Sequence, residues 1–200
     1  RVVNRLLRLP IYYVVTLSWL ILCYNVDIFT TTLIDYAIDK GVSATDSLSL
    51  VSYSFIAEIL GRVLVPLFAD RNYLRRSTLS ACNFFMMGAA VTCLSFVSSY
   101  MAFVGVTVAV SFFMGSAVST CSALLADNVG LEKLEVSYGL MGLLCAPLLF
   151  ARPFFVGFFR DKLGAYDNMY HIFSGLLFFL SLLWSLIVIT ERRVSKCFTL

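Results

Sequence analysis

Glu58 and Arg62 stand four residues apart inside a long apolar stretch, and Asp70 and Arg71 stand where that stretch ends. Four residues is about one helical turn, so the carboxylate and the guanidinium share a face if the stretch is a helix. Ionisable groups are costly at membrane depth and tend to mark solute or ion pathways. A guanidinium offers planar, paired donors that suit a carboxylate. An acid one turn away can serve as its counter-ion when no solute is bound, and a carboxyl group removed from water takes up a proton more readily. Protonation of Glu58 would release Arg62 to a solute carboxylate, so that proton and anion cross as a neutral pair. The structural alternative is that the two charges only neutralise each other and pin a helix, which apolar residues do at lower cost.

Two further charges fall within apolar stretches. Asp27 and Arg152 lie about six and seven residues from the ends of the first and fifth stretches. At about 1.5 Å of rise per residue, both sit roughly 10 Å below one surface of a membrane. An Asp27–Arg152 pair, or a water-filled cavity shared by the two, is expected; the alternative is that Arg152 snorkels to the surface alone.

The elements that carry these residues follow from composition. Sixty per cent of the 200 residues are hydrophobic and 14% are charged, with a mean hydropathy of +0.89. Six stretches, roughly 11–33, 47–69, 77–97, 101–126, 137–159 and 169–190, reach the about 20 apolar residues that cross a bilayer as helix. Alternation of polar and apolar residues in segments of about ten, the pattern of a membrane β-barrel, is absent. The expected fold is an all-α membrane protein, a six-transmembrane-helix bundle over 11–190, with a basic juxtamembrane segment at 1–10 and a tail at 191–200.

Lysine and arginine set the orientation. With both termini cytoplasmic, that side collects ten of the 15 (Arg1, Arg5, Arg8, Arg71, Arg75, Arg76, Lys133, Arg192, Arg193, Lys196) and the other side three (Lys40, Arg160, Lys162). Such a bias places the basic side inside. The net charge of +3 arises from this asymmetry and gives no reason to expect nucleic-acid binding. The opening RVVNRLLRLP reads as the basic approach to a membrane helix, and the chain reads as a piece of something longer. Cys23, Cys82, Cys93, Cys121 and Cys145 lie inside apolar stretches without CxxC spacing and read as small core residues; Cys197 follows the last stretch. No cofactor or metal site is expected.

A repeat adds architecture. GRVLVPLFADR (Gly61–Arg71) and ARPFFVGFFRDK (Ala151–Lys162) both read small residue, Arg, apolar run, Asp, basic residue, with one residue of slack. They fall in the second helix of each group of three, which cross in opposite directions, as in the 3+3 inverted repeat of a major-facilitator half.

Four segments carry a family resemblance: DYAIDKGVSATDS after the first stretch, EILGRVLVPLFADR in the second, DNVGLEKLEVSYGL before the fifth, and GFFRDKLGAYDNMYHIFSG leading into the sixth. The chain resembles, nearly end to end, the C-terminal half (helices seven to twelve) of a monocarboxylate-transporter-like protein of the major facilitator superfamily. The resemblance implies secondary transport of small monocarboxylates of the lactate or pyruvate type, coupled to protons, by alternating access at the plasma membrane. It implies a missing N-terminal six-helix half as partner and leaves room for an accessory membrane glycoprotein. Glu58 and Arg62 match the acid and arginine the family associates with coupling a proton to a carboxylate, although Asp is the commoner acid there. Asp70 and Arg71 match its cytoplasmic pair that helps lock the outward-facing state. Phe113, Met114 and Ser119 lie on the helix that carries its substrate-sizing residues and are candidates for the cavity wall, with plain packing as the alternative. Where the family tends to Gly-Pro-Pro, this chain reads Ala-Arg-Pro, so Arg152 is a departure that bears on the solute; Pro66 stands where a Gly is usual.

Other classes fare less well. The only histidine, His171, lies at a helix start and no GxSxG occurs, which argues against a serine hydrolase within the membrane. A carrier of another organic anion or of a neutral solute, or a non-transporting six-helix scaffold, remains compatible with the composition.

Overall fold

The computed structural model describes residues 10–70, 75–97, 99–162, 164 and 166–197, with the side chains of 10, 68–70, 131, 192 and 194–197 also left outside the description. Among these residues lie six long helices: α1 (Pro10–Asp39), α2 (Ala44–Asp70), α3 (Arg76–Leu94), α4 (Tyr100–Val129), α5 (Leu134–Gly157) and α6 (Asp167–Cys197). A 3-10 turn (Leu131–Lys133) precedes α5, and a π-helical turn (Phe158–Lys162) closes it. Each of the six is long and apolar enough to cross a membrane. The protein is a multi-pass all-α bundle, and the expected fold class holds.

Helix ends differ from the apolar stretches where tertiary contacts take over. The first stretch was expected to stop near residue 33, yet α1 runs on to Asp39. Tyr36 and Ala37 are fully buried there. The Tyr36 hydroxyl donates to Asp167 Oδ1 of α6 at 2.5 Å, and Lys40 pairs with the same carboxylate at 3.0 Å. Packing and hydrogen bonding thus extend the helix past the point where hydropathy falls. α3 ends earlier than expected, at Leu94, because the chain turns at Ser95 and Phe96.

Polar rungs join α1 to α6 along its length. Trp184 Nε1 donates to Ser18 Oγ at 2.9 Å, and the hydroxyls of Thr32 and Tyr170 meet at 2.8 Å. α3 and α6 run antiparallel through small residues: Ser181 donates to the Ala81 carbonyl at 2.9 Å and Ser174 to the Gly88 carbonyl at 3.2 Å. Single hydrogen bonds between membrane helices contribute about 0.6 kcal/mol on average. Close packing of small residues therefore decides which faces meet. Tyr166, Tyr170 and Trp184 are all packing residues of this core, whereas His171 is exposed beside the Phe96 ring.

The contact pattern repeats. The substantial helix contacts are α2 with α4, α3 with α6, α3 with α4, α1 with α4, α1 with α2, α1 with α5, α1 with α6 and α4 with α5. Exchanging α1, α2, α3 with α4, α5, α6 maps this set onto itself. That is the pattern a 3+3 repeat makes. The two halves are unequal in depth, however: 28% of the apolar window of α2 is buried, against 11% for its counterpart α5.

Candidate functional site

Glu58 and Arg62 are placed by the crossing of α2 and α4. The two helices run parallel and meet in register at every turn. The hydroxyls of Ser54 and Ser111 lie 2.6 Å apart. Four residues on, Gly115 presses its Cα against the Glu58 carbonyl, where a Cβ would come within 2.1 Å of the oxygen. Four further on, Ser119 Oγ donates to the Arg62 carbonyl at 3.2 Å. Gly61 answers from α2, since a Cβ there would lie 2.0 Å from the Phe112 carbonyl oxygen. Only glycines allow backbones this close, which is the usual device of membrane helix pairs.

Within this frame Arg62 Nη2 donates to Glu58 Oε1 in a short, charge-assisted bond. The two side chains differ sharply in exposure: that of Glu58 is 11% exposed and that of Arg62 48%. The acid is held against the bundle, and the guanidinium reaches an open face with donors to spare. Around it that face of α2 is apolar, with Phe55 and Ile59 both exposed.

Arg152 and Asp27 also meet. Arg152 Nη1 lies 3.1 Å from Asp27 Oδ2, with side chains 31% and 43% exposed. The expected pair between α5 and α1 is therefore present. Beside it α1, α5 and α6 leave a half-open apolar pocket of about 280 Å³ lined by Tyr24, Leu148, Phe155 and Phe173 among others.

The remaining candidates separate. Ser119 touches the site through the Arg62 main chain. Phe113 is partly buried and sits edge-on to Phe112 at 5.5 Å. Met114 is 1% exposed and belongs to the core rather than to an open wall. Asp70 ends α2, but its side chain, and Arg71 altogether, lie outside the described residues. Among the described residues no cluster of His, Cys, Asp and Glu is arranged to hold a metal ion, and Cys23, Cys82, Cys93, Cys121 and Cys145 are free thiols.

Sequence reading missed the charged clasps at the ends of the bundle. Arg160 pairs with Asp35 and donates to the Tyr166 hydroxyl at 3.0 Å, which ties the π-helical turn to α1. Arg76 pairs with Asp127 at 2.6 Å and so links the start of α3 to the end of α4. These partners are distant in sequence, and only the basic residues flanking each stretch hinted at them.

No family model matches the chain. It is similar to Monocarboxylate transporter 12 of Xenopus laevis, 24% identical over 186 residues that cover 92% of this chain and 40% of the relative. It is also similar to Monocarboxylate transporter 12-B of Danio rerio, 26% identical over 180 residues (88% and 38%). Against Monocarboxylate transporter 9 of Gallus gallus it is 27% identical over 162 residues (80% and 32%). These relatives are transporters and not enzymes, which agrees with the reading against a hydrolase. The chain spans about 40% of the length of the curated relatives it matches, and the homologues that its residues and its six membrane-crossing helices lead to are monocarboxylate transporters.

Proposed function

We propose that this chain is the C-terminal half of a major-facilitator secondary transporter that carries small monocarboxylates, of the lactate or pyruvate type, together with protons. The observation that supports this most is the Glu58–Arg62 pair, with its acid held in the bundle and its guanidinium on an open face. In the cycle proposed here, an empty site keeps Arg62 on Glu58. Protonation of Glu58 breaks that bond, and the freed guanidinium takes the solute carboxylate in a paired contact. The loaded site carries no net charge and crosses with the lower desolvation cost. Alternating access moves this bundle against a second one, and the exposed apolar faces of α2 and α5, with Leu64, Phe150 and Phe154 among them, are where that half would lie. The protein would sit in the plasma membrane with both termini cytoplasmic, as the distribution of basic residues argues. An accessory membrane glycoprotein is an additional partner that the resemblance allows.

The test uses the full-length parent in proteoliposomes: uptake of labelled lactate with and without an inward proton gradient, for wild type and Arg62→Ala. Gradient-driven uptake that disappears in the variant is the expected result. Robust uptake by the variant would make the pair structural. No lactate uptake by wild type would move the proposal to another solute of the same class. The Arg152–Asp27 pair, a second charged contact within the membrane, favours including other organic anions and neutral solutes in that screen.

A further inference from the structure

We propose that Gly61 and Gly115 are positioning residues for the Glu58–Arg62 site: a reciprocal backbone contact that sets where Glu58 stands and keeps α2 fixed to α4 throughout the transport cycle. The inference rests on the function proposed above.

A Cβ on Gly61 would lie 2.0 Å from the Phe112 carbonyl oxygen, and one on Gly115 would lie 2.1 Å from the Glu58 carbonyl oxygen. Both oxygens are main-chain atoms and cannot swing aside. The contact is reciprocal: the residue three before each glycine supplies the oxygen that the other glycine meets. Close Cα approaches of this kind recur at membrane helix crossings. The carbonyl under Gly115 belongs to the acid itself. One turn to either side, the Ser54–Ser111 and Ser119–Arg62 hydrogen bonds hold the same register.

Glycines elsewhere behave differently. Gly88 of α3 faces the Phe178 ring at 3.2 Å, a side chain that can turn. Gly105 on α4, and Gly139 and Gly142 on α5, have nothing within 4 Å. A methyl group on Gly61 or Gly115 must therefore open the α2–α4 crossing by about 1 Å, and a displacement of that size at a reacting geometry costs on the order of 100-fold. Contacts made by Glu58 and Arg62 with solute would suffer while the rest of the bundle stays packed.

The experiment is lactate uptake by the full-length parent in proteoliposomes, comparing Gly61→Ala, Gly115→Ala, the control Gly105→Ala and Arg62→Ala. The expected result for both site glycines is a KM raised roughly tenfold or more with the maximal rate per reconstituted molecule within about threefold, a split that lost folding does not produce. Gly105→Ala should match wild type. Site-glycine variants that match Gly105→Ala while Arg62→Ala is inactive would overturn the positioning role and leave the proposed function standing. An active Arg62→Ala, or wild type without lactate uptake, would remove the lactate reading of the site and the positioning role argued from it. If the glycine variants do not reach the membrane, Ser54→Cys/Ser111→Cys decides: on mild oxidation the cross-link should form with uptake unchanged. Uptake lost on oxidation and regained on reduction would mean that α2 slides on α4, contrary to the proposal.

Discussion

Arg62 and Arg152 occupy matching places in the two halves of the repeat, yet they are held by opposite means. Arg62 follows Gly61, and its partner Glu58 is one turn away on the same helix. Arg152 follows Ala151, and the residue one turn before it is Leu148; its partner is Asp27 on another helix. The surroundings diverge in the same way. α2 meets α4 backbone to backbone at Gly61 and Gly115. α5 meets α1 across aromatic side chains, such as Tyr24 and Phe155 with ring centroids 5.9 Å apart, and beside a cavity of about 280 Å³. One arginine is thus part of a rigid two-helix unit, and the other bridges a looser seam. The difference teaches that a repeated motif fixes where a charge enters the membrane but not what it does there. That is set by the residue four before it and by the size of the side chains opposite.

Removing Arg62 should have the largest effect. Arg62→Ala strands Glu58, which is nearly buried, and truncating one partner of such a pair costs about 2–5 kcal/mol. Lactate transport by the full-length protein should fall at least roughly 30-fold. The same truncation at Arg152, where both side chains are partly exposed, should cost less than about 1 kcal/mol in thermal stability. Equal losses of stability from the two truncations would erase the contrast drawn above.

Next in size are the glycines. Gly115→Ala forces a Cβ onto a main-chain oxygen and should lower stability by about 1–3 kcal/mol, the range for an overpacked site. Gly142→Ala on α5 meets open space and should be neutral or add up to about 1 kcal/mol, since alanine favours helix over glycine. Unfolding midpoints of the two variants in detergent give the comparison directly. A harmless Gly115→Ala would show that the crossing can relax.

The smallest effect is expected from filling the seam. Leu148→Phe adds volume beside the cavity and should raise stability by about 0.5–1 kcal/mol. A loss would mean that α5 needs the space in order to move.

Much of this was legible in the sequence because membrane helices announce themselves. Hydropathy located all six, and the four-residue spacing of Glu58 and Arg62 foretold their pairing on one face. The Asp27–Arg152 pair came from counting residues down from two helix ends, which works because an α-helix rises by a constant amount per residue. That Gly115 would rest on the Glu58 carbonyl was not legible, because the relative register of two parallel helices is a tertiary property. The extension of α1 to Asp39 was hidden for a related reason. Tyr36 and Lys40 look like loop residues until Asp167 of α6 comes beside them. Hydropathy also could not separate Met114, buried in the core, from neighbours at the crossing, since the residues around it on α4 are apolar or small.

The central claim is that Glu58 carries the proton that frees Arg62, and proton coupling is its most direct test. Glu58→Gln in the full-length protein, reconstituted in proteoliposomes, should keep lactate exchange between the two sides but lose accumulation driven by a proton gradient. An uncharged amide leaves Arg62 free for the anion and has no proton to give up. Accumulation by Glu58→Gln equal to that of wild type would contradict the account and assign the coupling to another group.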